Sequence, residues 1–228
     1  MIVLKYSRLG AAEFVSHIDV LRQTSRILRR AEIPVRFSQG FNPHALVFFS
    51  PPTPVGVASE AEYVAVDTSL SAGETLARYN ASVTGDMRAS AAFDLVSNPN
   101  LAGRITAADY VFPFVYTPDV LEGGLTLEYD KKGVKVTENA AEKVFSVFCA
   151  DGKLGLRMAA GNVTLRADRV FAALRNKLGA DAALTDTVKT AQYVAGADGA
   201  AESVDVMLAA ASRSAAAFDF VARIAVAR

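Results

Sequence analysis

The chain contains two histidines, His17 and His44, and each has neighbours that suit an imidazole to chemistry. His17 lies in Ser16-His17-Ile18-Asp19, and His44 closes the run Ser38-Gln39-Gly40-Phe41-Asn42-Pro43-His44. Imidazoles titrate near neutral pH, so two brought together can act as general acid and base on a phosphodiester. With Asp19 beside them they are also three-quarters of a metal site. The alternative is that each histidine caps or packs a local turn. The second run has chemistry of its own. Gly40 can take positive φ, Asn42 is held extended by Pro43, and exposed amides here would form a shallow nest for an anion. Phe41 can stack on a base or fill the core.

The elements around these residues can be read from their periodicity. Residues 2–8, IVLKYSR, fit a strand. Ser16 reads as the N-cap of a helix reaching about Ala31, with Asp19 closing a capping box on the cap amide. Val20, Leu21, Thr24, Ile27, Leu28 and Ala31 share one arc of that helix, while Arg22, Arg26, Arg29 and Arg30 share the other. A row of guanidinium groups suits phosphates; it also suits the wet side of any amphipathic helix. Residues 34–38 and 45–50 read as short strands around the Gly40 and Asn42-Pro43 turn, and the prolines at 51, 52 and 54 end the second. A strand over 61–68, a helix from Ser71 to about Asn80 and a strand over 87–96 complete a β-α-β-β-α-β order. The fold expected is α+β: a ferredoxin-like βαββαβ domain over 1–100, then a second, smaller α+β domain over 101–228. In the latter, strands are expected over 108–116 and 125–129, a hairpin around Asp151-Gly152, and helices over 167–178 and 203–211. Beyond Gly179 the chain is alanine-rich, and residues 216–226 fit either period.

Charge sharpens the functional question. The 228 residues carry 24 basic and 24 acidic side chains, but unevenly. Residues 1–50 hold seven Lys/Arg against three Asp/Glu, 51–130 hold three against eleven, and 131–228 hold fourteen against ten. A basic head can mark an anionic partner. The single cysteine, Cys149, rules out an internal disulfide and any cluster or zinc site needing several thiolates from this chain, so neither metal nor cofactor is expected. No apolar run is long enough to span a bilayer, and the first residues do not read as a signal peptide. A cytoplasmic location without membrane contact is the expectation.

Five blocks in order resemble an uncharacterised family of radical-SAM-linked proteins. They are Ser16-His17-Ile18-Asp19, Leu28-Arg29-Arg30-Ala31, Ser38 to His44, Thr53-Pro54-Val55-Gly56, and Ser59-Glu60-Ala61-Glu62-Tyr63. The resemblance implies a partnership with a radical SAM protein, fused or encoded beside it, often near genes for RNA processing. Ala45 and Leu46 stand where the family usually has proline and a basic residue. The leading expectation is a non-catalytic accessory that binds or presents RNA, using Ser16, His17, Asp19, the four arginines and residues 38–44. The alternatives are a metal-independent phosphodiester enzyme using His17 and His44, and a protein–protein adaptor docking by its proline-rich loop.

Overall fold

The structure is a computed structural model and describes residues 1–213. It is a mixed α+β fold built on one nine-stranded, mostly antiparallel sheet. The first half runs β1 (Ile2–Arg8), α1 (His17–Arg30), β2 (Val47–Phe49), β3 (Ala58–Val66), α2 (Ala72–Ala81) and β4 (Ala89–Asp94). The second half runs α3 (Leu101–Arg104), β5 (Ile105–Val115), β6 (Thr126–Lys131), β7 (Val134–Asn139), β8 (Val144–Ala150), β9 (Lys153–Ala159), α4 (Ala167–Leu178), β10 (Val188–Ala195), β11 (Ala201–Ser203) and α5 (Val204–Ala211). The main strand order is β4-β1-β3-β10-β5-β9-β8. β2 also pairs with β3, and β11 with β10, while β6 and β7 form a separate hairpin.

Strand alternation explains the layers. Ile2, Leu4 and Tyr6 of β1 face one side, where Val20, Ile27 and Leu28 of α1 and Tyr79 of α2 cover them. Val3 and, from the neighbouring strands, Tyr63 and Phe93 face the other side, under Val204, Met207 and Leu208 of α5. Side chains two apart on a strand share a face, so one apolar strand feeds two cores. A third core lies where Phe112, Leu156 and Met158 meet Phe171 and Leu174 of α4.

The junction of the halves is narrow. β10 runs parallel to β3 over two residue pairs, Val188 with Ala58 and Lys189 with Ser59, and every other pairing in the sheet is antiparallel. Further along, β2 takes the same edge of β3, from Val47 opposite Val66 to Phe49 opposite Val64. The gap between β2 and β10 is spanned by side chains: Gln192 Nε2 donates to Ser50 Oγ at 3.3 Å and to the Ala61 carbonyl.

Several expectations need correction. Residues 34–38 form no strand, only a single bridge from Phe37 to Ala45. Pro34 has no amide to donate, and Gly40 and Pro43 turn the chain before a ladder can grow. The strand expected over 45–50 shrinks to Val47–Phe49. The carboxylate of Asp19 accepts from the Ser16 hydroxyl at 2.7 Å, so the capping-box contact goes to the cap side chain and not to its amide. The segment beyond Gly179 contains β10, a central strand that its alanines disguised. Residues 216–226 lie outside the described residues. No described helix is long and apolar enough to cross a membrane.

Candidate functional site

α1 begins as its sequence dictates. Ser16 is the N-cap and its Oγ accepts from the Asp19 amide at 3.3 Å. The Ser16 hydroxyl and Arg22, 3.1 Å away, hold the Asp19 carboxyl below its usual value. Val20, Thr24, Ile27 and Leu28 are buried, and Arg22, Arg26, Arg29 and Arg30 all stand exposed on the other side. Arg30 is pinned by a 3.0 Å bond to the Ser82 carbonyl. Among the described residues Arg22 alone of the four pairs with a carboxylate.

Residues 38–44 form a separate exposed turn. The Ser38 amide donates to the His44 carbonyl at 2.9 Å, the His44 amide donates to Ser38 Oγ at 3.1 Å, and that hydroxyl lies 2.9 Å from His44 Nδ1. Serine thus ties the histidine back across the loop. Gly40 sits at φ 129°, a conformation closed to other side chains. Gln39, Phe41, Asn42 and Pro43 are exposed, Phe41 completely, so its ring is not part of any core.

His17 belongs to different surroundings. Its ring meets the Phe49 ring edge-on, with centroids 5.8 Å apart. Burial lowers its pKa; Glu62 opposes that shift and Arg8 adds to it. His17 lines a cavity of about 390 Å³ together with Pro51, Pro52, Tyr110, Arg166 and Lys189. It also lines a second cavity of about 480 Å³ that opens along β2 toward Asn98 and Asn162. Neither cavity includes any of residues 38–44 or the α1 arginines. The structure therefore groups His17 with the proline loop and sets His44 with Ser38. Among the described residues no His, Cys, Asp and Glu group could hold a metal ion, so His17, His44 and Asp19 do not form one.

Beneath the first cavity lies a buried ionic cluster. Lys189 of β10 and Glu62 of β3 approach to 2.6 Å, with 1% and 3% of their surfaces exposed. Thr53 donates to the same Glu62 oxygen. Burial pushes the Glu62 carboxyl up, but the Lys189 charge and hydrogen bonds from Lys189, Thr53 and Ser59 outweigh it and hold the group ionised. Arg8, 2% exposed, donates to the carbonyls of Thr53, Ala12, Glu13 and Val15. It thereby ties the segment before α1 and the proline loop to the end of β1. Sequence reading missed Arg8, Glu62, Tyr110, Arg166 and Lys189. For Glu62 a signal was present: an acid in step with Val64 and Val66, on a face that should be apolar. Lys189 offered only a cation in an alanine-rich tract.

A family model described as an uncharacterized protein conserved in bacteria (DUF2344) matches residues 1–154. The chain belongs to this family. No curated protein matches it. The part matched to DUF2344 contains α1, the 38–44 turn, the proline loop, Glu62 and Tyr110. It stops short of Arg166 and Lys189, so the cavity is closed by residues beyond the matched segment.

Proposed function

We propose that the protein is a non-catalytic accessory that binds RNA through α1 and the 38–44 turn and presents it to a radical SAM enzyme. The observation that carries this reading is the outward row of Arg22, Arg26, Arg29 and Arg30, three of them without a carboxylate partner among the described residues. Unpaired guanidinium groups spaced along a helix can each meet a phosphate. Phe41, wholly exposed at a turn tip, offers a stacking surface for an unpaired base. We read residues 1–94 as a ferredoxin-like unit, supported by the β1-α1-β2-β3-α2-β4 order and the adjacency β4-β1-β3-β2. Folds of that kind often bind RNA on an open sheet face. Here α5 and Leu101 cover that face, leaving Val3, Tyr63 and Phe93 buried, which directs RNA to the helix side. With one cysteine, the chain leaves cluster chemistry to its partner.

Fluorescence anisotropy with a labelled hairpin RNA tests the reading. The wild type is expected to bind, and the fourfold variant Arg22→Ala, Arg26→Ala, Arg29→Ala, Arg30→Ala to bind at least about tenfold more weakly. Equal binding by the two proteins would contradict it. Co-purification with the radical SAM protein that resists nuclease, with no RNA binding, would favour the adaptor reading.

A further inference from the structure

The cavity floored by Lys189 is a built site that neither the α1 arginines nor the 38–44 turn line. Its walls come from five separated stretches: His17 at the start of α1, Pro51 to Val55, Tyr110 of β5, the loop into α4, and Lys189 of β10. Lys189 and Tyr110 are cross-strand partners, so their side chains stand together on one face of the sheet. Tyr110 is 7% exposed, and its hydroxyl makes no hydrogen bond among the described residues. That oxygen is not among the fully buried unpartnered atoms, so it opens on the cavity, where a ligand can accept its hydrogen bond. Among the described residues no aspartate or glutamate lines the cavity, whereas Lys189 and Arg166 do. Each cation is also held from outside the lining, Lys189 by Glu62 at 2.6 Å and Arg166 by Asp168 at 2.6 and 3.0 Å, so a ligand would meet their remaining N–H donors. Arg166 is also the N-cap of α4, where no side chain makes a capping hydrogen bond, although Asp168 stands in the first turn, so the helix adds amide donors. Arg8, whose hydrogen bonds among the described residues go to carbonyls, adds positive potential near His17 and Lys189. The lining combines these donors with the apolar rings of Pro51 and Pro52.

We propose that this cavity binds a small organic anion. Its oxyanion head, phosphate or carboxylate, lies against Lys189, Arg166 and the Tyr110 hydroxyl, and its apolar body against Pro51 and Pro52. The volume lies at the small end of the range for such ligands. Retaining a buried Lys–Glu pair is also easier to understand here, because a pair that adds little stability can still fix a lysine where a ligand needs it.

Thermal unfolding of the full chain tests the proposal with three probes: uridine monophosphate, benzoate and inorganic phosphate, each against sodium chloride of equal ionic strength. At least one probe should raise the midpoint saturably below about 10 mM, beyond the salt control. A response to uridine monophosphate or inorganic phosphate identifies a phosphate head; a response to benzoate alone identifies a carboxylate. Tyr110→Phe and Arg166→Ala should each weaken the responding probe about fivefold, the loss of one hydrogen bond, while unfolding normally without it. Tyr110→Phe keeps the ring and Arg166 is half exposed, so neither change should prevent folding. No response to any probe, or a response untouched by both variants, overturns the proposal. Neither variant alters α1, so failure here leaves the RNA reading standing, and loss of RNA binding leaves this one standing.

Discussion

Glu62 and Lys189 show how a single pair can join two halves of a chain. Their charges lie 127 positions apart, yet they meet at 2.6 Å almost without solvent. Removing one partner strands the other. Glu62→Gln should therefore lower unfolding stability by about 3–5 kcal/mol, and Glu62→Met with Lys189→Met should recover most of that loss; urea titration of the single and double variants measures both. His17 gives a pH signature. Its pKa falls below 6.5 in the folded state through burial, so between that lowered value and 6.5 the unfolded chain binds more protons. The stability it contributes is full above 6.5 and is lost as pH drops through the window. His17→Gln should flatten the stability curve there, as urea midpoints from pH 5 to 8 will show; a slope unchanged by the substitution would contradict the burial of this ring. His17 was legible from its place beside the Ser16 cap, at the first turn of α1. Lys189 was not, because nothing local marks a lysine as buried when its counter-charge lies on a distant strand.

Among the elements, α1 was the most legible. Its cap, its apolar arc and its arginine row depend on spacing within 16 residues, and all three appear where the periodicity puts them. The hairpin around Asp151-Gly152 was equally clear, since both residues take positive φ, at 50° and 78°, as a tight two-residue turn requires. β10 was hidden because alanine lowers the alternation signal, and the strand is created by neighbours on both edges. The loop leading into α4 depends on Gly161. It sits at φ 78°, and an added Cβ would lie 2.2 Å from the Ile105 carbonyl oxygen. That overlap is with backbone, which cannot swing aside. Gly161→Ala should cost about 1–3 kcal/mol and displace a wall shared by both His17 cavities. Thermal unfolding measures the first effect, and the probe response described above measures the second.

On the scale of the whole molecule, one sheet carries both halves. Cutting after residue 100 would remove Lys189 from Glu62, and Asp205 from Lys5 and Tyr63, which it contacts at 2.6 and 2.8 Å. It would also uncover the core beneath Val204 and Leu208. Residues 1–100 alone should show no cooperative unfolding by circular dichroism; a sharp transition would mean the segment is self-sufficient. The sequence periods anticipated the α+β class and, apart from the strand expected over 34–38, the order of the first six elements, but local signals could not reveal that the two halves share a sheet through only two parallel pairs. The charge imbalance was legible from composition, and the fold gives it shape by placing four of the seven basic residues of 1–50 on one exposed helix face. That face is the basis of the functional account, and salt dependence examines it most directly. RNA affinity measured from about 50 to 300 mM salt should fall with a log–log slope of about −2 to −3 for wild type, and approach zero for the fourfold arginine variant. Parallel slopes for the two proteins would contradict the account.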